Sequence, residues 1–154
     1  MVSIDMFDEL SDAQRNRHME VCRYFFRSNV MKKHLDELVS RFGGIEEAVT
    51  AEWDEFWAYY SFWLAGLWVA CEGIERISFG SDKFVAYVKA GKSLLHPIRQ
   101  ATFHFKPTTS DMMKHFETHD AATMKPWDLH QRIMDQIQDF LESLPPEYEQ
   151  GLGS

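Results

Sequence analysis

Apolar residues recur at helical spacing from residue 12 to residue 42, at Met19, Cys22, Phe26, Leu35, Leu38 and Phe42. Ser11 and Asp12 stand ahead of them as cap candidates and Gly43-Gly44 follows, so the pattern predicts one long amphipathic helix over 12–42. A second helical stretch is expected from about Ile45 to Ile77. Glu46, Glu47, Glu52, Asp54 and Glu55 crowd its first turns, where the helix dipole favours carboxylates. It then becomes FWAYYSFWLAGLWVAC, apolar on every face.

That run is about 16 residues, short of the roughly 20 that cross a bilayer, and Glu72, Glu75 and Arg76 follow it at once. A helix apolar all round is instead expected at the centre of a helical core, with some of the tryptophans serving a subunit interface. After the turn FGSD the pattern predicts a short helix over Lys83–Lys89 and another from about Gly91 to Phe105, with Pro97 inside or at the start of the second. Residues 110–118 suggest a further turn or two. A last helix, about Pro126 to Leu144, carries Trp127, Ile133, Ile137, Phe140, Leu141 and Leu144 on one face and stops at Pro145-Pro146. No strand-like alternation of useful length occurs. The expected architecture is all-α, an antiparallel up-and-down helical bundle around a long central apolar helix.

With 154 residues, 45% of them hydrophobic and only 8 Gly and 5 Pro, the chain has apolar surface for one core and little material for a linker, so a single domain over 1–154 is expected, its tail loosely ordered from about residue 146. Cys22 and Cys71 fall inside apolar helical patterns and MVSIDMFDELSD lacks the order of a secretory signal, which together suggest buried thiols in a reducing, cytoplasmic compartment. The formal net charge of −8 argues against a surface that binds polyanions everywhere. The charge is uneven, however. Arg76, Lys83, Lys89, Lys92, Arg99 and Lys106 face only Asp82 over residues 76–106, a local balance of +5 that leaves −13 for the rest.

The sequence holds no glycine-rich phosphate loop, nucleophile elbow or paired-cysteine zinc pattern. His115 and His119 lie four apart without the glutamate signature of a helical metal site and are expected to be a solvated pair, so neither metal nor cofactor is expected. The segment LLHPIRQATFHFKP differs, because it sets Arg99 and His104 at the end of a helix inside the basic window. Five positions apart on a helix are roughly 140° and 7.5 Å, so a long arginine can bend towards the imidazole and the two can flank one phosphate across a solvated cleft.

Here the sequence resembles the HEPN superfamily, helical-bundle proteins in which an Arg-x4-6-His motif near a helix end marks a metal-independent ribonuclease site. The match LxxxRxxxxHF includes the aromatic neighbours Phe103 and Phe105, while Gln100 stands where the family most often has Asn or Asp. WLAGLWVACEGI is similar to the family's earlier long helix, whose acidic residue corresponds to Glu72. The outline of the resemblance runs over roughly residues 45–141. It implies an RNA endonuclease, a homodimer with its motifs brought together at one cleft, and often a toxin or defence effector held by an antitoxin or other regulatory protein.

A ribonuclease of this kind uses the 2′-hydroxyl of RNA as nucleophile, so it needs proton transfer and neutralisation of phosphate charge. His104 suits the first, with an ordinary pKa near 6.5, and Arg99 suits the second through its planar fork. Gln100 is expected to hold the ribose or the histidine, Glu72 to orient Arg99, and Lys92 and Lys106 to follow flanking phosphates. Two rival expectations are a non-catalytic HEPN-like module that binds a nucleotide or a partner such as a nucleotidyltransferase antitoxin, and a structural helical dimer with no ligand.

Overall fold

The structure, a computed structural model, describes residues 4–103 and 125–151. Among these residues six helices follow one another: α1 (Ile4–Asp8), α2 (Asp12–Phe42), α3 (Ile45–Ala51), α4 (Trp53–Ile77), α5 (Asp82–Phe103) and α6 (Pro126–Glu142), with a 3-10 turn at Pro146–Gly151. Among the described residues there is no strand, and the protein is an all-α bundle. No helix among them is long and apolar enough to cross a membrane.

α2 begins where its sequence signals place it. The Ser11 side chain accepts from the Gln14 backbone N–H and the Gln14 side chain accepts from the Ser11 N–H, a reciprocal capping box. At the other end Gly43 turns left-handed at φ 83°, and the N–H groups of Gly43 and Gly44 close on the carbonyls of Ser40 and Val39. Met19, Cys22, Leu35 and Leu38 are buried as expected, whereas Phe26 is exposed, one residue beyond the stripe that faces the bundle.

The stretch from Ile45 to Ile77 is two helices rather than one. Glu52 leaves the helical region at φ −135° and ψ 65°, so α3 ends and α4 starts around it. The break gives Asp54 and Glu55 the free N–H groups of a new helix start, a setting an unbroken helix would deny them. No glycine or proline marks the place. Conversely, the two helices expected after FGSD are a single α5, in which Gly91 is a buried packing position and Pro97 lies inside the helix. The 104–124 segment, with the turn expected at 110–118 and the pair His115 and His119, lies outside the described residues. Within Pro146–Gly151 the Tyr148 hydroxyl donates to Asp12 Oδ1 at 3.0 Å and Arg15 sits over its ring.

The long helices pack antiparallel. α2 and α4 meet at Ser28 with Gly66 and again at Val21 with Gly73, where an added Cβ would stand 3.1 Å from the opposing side chain, so a larger residue at either glycine would require its neighbour to give by a few tenths of an ångström. α6 runs back along α2, from His130 at Asn29 to Phe140 at His18. Phe56, Tyr60, Trp63, Leu64 and Leu67 of α4 are buried. Trp63 and Trp127 stack edge to face at 5.0 Å, so these tryptophans serve the chain's own core.

One buried polar group ties three helices together. Trp63 Nε1 donates to His130 Nδ1 at 3.1 Å, and because indole can only donate, the proton of the neutral imidazole is left on Nε2, which meets Asn29 Oδ1 at 3.1 Å. His130 is 2% exposed, and burial, with the Lys32 charge adding to it, pulls its pKa down to about 3. A proton on Nδ1 would also set one N–H against another.

A pH dependence of stability follows. The unfolded imidazole binds a proton below about pH 6.5 while the folded one stays neutral to about 3, so stability is complete above 6.5 and declines as pH falls between these limits. Between pH 6.5 and 5 the loss due to His130 should be about 2 kcal/mol. His18, whose pKa burial also lowers, acts in the same direction. Urea midpoints at pH 7.5 and 5.0 measure the decline, and His130→Gln should be less stable at pH 7.5 yet have a visibly flatter pH profile. An equally steep profile in the variant would show that other groups carry the dependence.

Candidate functional site

α4 and α5 form a helical hairpin whose register decides which side chains meet. Arg99 on α5 lies with its guanidinium carbon 4.2 Å above the ring of Trp68 on α4. Lys92, also on α5, pairs with Glu75 of α4 and lies with its Nζ 5.5 Å from the same Trp68 ring centroid. Trp68 thus carries two cations on its electron-rich surface, each within the range of a cation–π contact.

Arg99 is half-buried, and it forms no ion pair among the described residues. Its Nε is buried and without a hydrogen-bond partner there. Among the described residues the guanidinium is held by a ring and meets no carboxylate. An arginine so held keeps its fork available for an anion. On the same face the Gln100 amide donates to His96 Nε2 at 3.3 Å, and the Thr102 hydroxyl donates to the Ile98 carbonyl at 2.7 Å.

The geometry corrects two expected roles. Glu72 does not orient Arg99; its carboxylate reaches Arg76, four residues on along α4, at 3.5 Å. That partner is the neighbour a helix offers on its own surface, and the pair is exposed. Glu75, not Glu72, is the α4 carboxylate turned to α5, and it takes Lys92, which is then partly committed to an ion pair rather than free to follow a phosphate. Nor does Arg99 stand clear in solvent, since it packs on Trp68. His104 and Lys106, the other two residues expected at the site, lie outside the described residues, so Arg99, Gln100 and Lys92 are the part of the motif whose placement is known.

Sequence reasoning passed over Trp68, Glu75 and His96. Trp68 and Glu75 lie in or just after the WLAGLWVACEGI stretch already singled out, and the repeat of seven residues on both helices, 68 to 75 and 92 to 99, is the signal that would have paired them. The thiols take no part: Cys22 and Cys71 are free and buried, and burial pushes Cys22 up to about 12 and Cys71 higher still. Among the described residues no three His, Cys, Asp or Glu side chains gather as they would around a metal ion.

No family model matches the chain, and no curated protein or solved structure is significantly similar to it.

The contact between Arg99 and Trp68 is measurable by itself. Arg99→Ala should cost about 1–2 kcal/mol of stability through lost packing and cation–π attraction, and Trp68→Leu a comparable amount. The double variant should fall short of the sum by about 0.5–1 kcal/mol in urea denaturation. Strict additivity would show that ring and guanidinium do not interact.

Proposed function

We propose that the chain is a metal-independent RNA endonuclease of HEPN type, working as a homodimer in which two copies of the Arg99–His104 motif share a cleft. The observation that supports this reading is the state of Arg99: a half-buried guanidinium, positioned by Trp68, with no carboxylate partner among the described residues. A structural arginine at such a place is ordinarily paired. One that is held and left unneutralised is suited to a phosphate.

In the reaction Arg99 binds the scissile phosphate and offsets the charge that develops on its oxygens. His104 takes the proton of the 2′-hydroxyl as its oxygen attacks phosphorus. The P–O5′ bond breaks, and the second histidine of a two-fold cleft supplies a proton to the leaving 5′-oxygen. The products are a 2′,3′-cyclic phosphate and a 5′-hydroxyl, with no water consumed and no metal required. Gln100 steadies the ribose beside His96. A regulatory partner that covers the cleft would silence the enzyme, as expected of a toxin or defence effector.

The purified chain should cut a labelled single-stranded RNA in excess chelator and leave the 2′-O-methyl version of that RNA intact. His104→Ala should slow cleavage by about 100-fold or more. Arg99→Ala should do the same in addition to its cost in stability. Cleavage of the 2′-blocked strand, or cleavage only with added divalent metal, would overturn the mechanism. RNA that is bound but never cut, with binding lost in Arg99→Ala, would assign the chain to the non-catalytic binding modules instead.

A further inference from the structure

At the far end of α4 from its acidic start, a cavity of about 370 Å³ opens between α1, the first turns of α2 and the α4–α5 turn. Its volume falls within the range of small-molecule sites. Phe7, Leu10 and Ile77 give it an apolar side. Arg17, His18, Arg76 and Ser78 give it a polar one, and no carboxylate is among the residues that line it. In a chain of net charge −8 that is a selective arrangement.

Each polar member keeps hydrogen-bonding capacity that a ligand could use. Arg17 has no ion-pair partner among the described residues. Among the described residues Arg76 pairs with Glu72 alone, at 3.5 Å and with its own side chain 76% exposed, a pair weak enough for an anion to displace. His18 is 5% exposed and donates from Nδ1 to the Gln14 carbonyl at 2.8 Å, so its neutral ring keeps Nε2 as an acceptor. Ser78 is the most telling. It closes α4 in the left-handed region at φ 54°, with its N–H on the Glu75 carbonyl and the Phe79 N–H on the Ile74 carbonyl. That is the position where helices ordinarily use glycine, and a serine there is strained. Such strain persists most often where a side chain has a task.

We propose that this cavity binds a small phosphate monoester, its organic body resting on Phe7, Leu10 and Ile77 and its phosphate lying between Arg17 and Arg76. A monoester carries a charge of about −1.5 to −2 near neutral pH, which two guanidiniums match, whereas a carboxylate would leave one of them uncompensated. The Ser78 hydroxyl donates to a phosphate oxygen, and His18 Nε2 accepts the remaining P–OH proton when the ester is a monoanion. The site is separate from the Arg99 cluster: Trp68 and Arg76 stand eight positions apart on α4, about 12 Å along its axis.

Phenyl phosphate is a suitable probe for calorimetric titration of the full chain. It should bind with one-to-one saturation, and inorganic phosphate, which lacks the apolar body, should bind roughly tenfold or more weakly. Benzoate, with the body but a single charge, should also be at least about tenfold weaker. Arg17→Ala and Arg76→Ala should each lower affinity by about tenfold with unchanged thermal melting, because both side chains are exposed. Ser78→Gly should separate function from stability, raising Tm by roughly 2–4 °C as strain is relieved while weakening phenyl phosphate binding. Absence of saturable binding to the wild-type chain, benzoate binding as tightly as phenyl phosphate, or undiminished binding by the double arginine variant would overturn the proposal. None of these outcomes depends on whether the chain cleaves RNA.

Discussion

A helix as apolar as α4 has to be covered along most of its surface, with Trp53 and Phe62 left exposed, and that condition shapes the rest of the chain. Its side chains from Phe56 to Ile74 include Tyr60, Trp63, Leu64, Leu67 and Ala70, all buried. α2 approaches α4 closely at Gly66 and Gly73, where α4 presents no side chain. α5 must return antiparallel on another side, since the connection between α4 and α5 is a short turn. Once that register is set, Arg99 arrives level with Trp68 and Lys92 level with Glu75 as two consequences of one alignment, seven residues apart on each helix. The candidate site is a product of the packing of α4 rather than an addition to it.

Covering a tryptophan-rich helix raises a second requirement, because each buried indole N–H needs an acceptor. Trp63 finds His130 on α6, and the histidine finds Asn29 on α2, so a single chain of hydrogen bonds links the three helices and fixes the tautomer of the ring. The arrangement selects α6 as the partner of this face more sharply than apolar contact could, since a slipped helix would leave three polar groups without partners. It also makes the fold sensitive to acid at a place where no catalysis is expected. A buried histidine with a strongly lowered pKa is here a structural residue, and its burial accounts for the shift.

Several elements were readable from the sequence because one strong signal fixed each of them. α2 has regular spacing between a serine cap and a glycine stop, and α6 has a proline at its first position with Ile133, Ile137 and Phe140 on one face. α1 was missed because five residues carry no hydrophobic period, though Phe7 is buried there. The break at Glu52 was missed because no residue that breaks helices marks it, and α5 was cut in two because Gly91 resembles a stop when its burial is unknown. At the site the residue types were legible while their pairing was not. Glu72 and Glu75 are three positions apart on one helix and carry equal charge, and only the register between α4 and α5 decides that Glu75 faces the partner helix while Glu72 turns to Arg76. Sequence spacing describes one helix at a time, and this choice belongs to two.

The departures from good stability practice are themselves unevenly distributed. Where α2 meets α4 and α6, α2 itself is capped at both ends, its αL position is a glycine and the buried imidazole uses both ring nitrogens. Around the α4–α5 hairpin the rules are broken repeatedly. Ser78 occupies a left-handed position, Pro97 removes a hydrogen bond inside α5, Arg99 Nε is buried without a partner among the described residues, and so is the amide nitrogen of Gln136, which lies beside Gly80. Any one of these costs on the order of 1–3 kcal/mol. Selection for stability alone would remove them, and the well-built side of the bundle shows that this chain can satisfy such rules. They gather around one hairpin, next to an arginine with no carboxylate partner among the described residues at one end and a cavity with no carboxylate among its lining residues at the other.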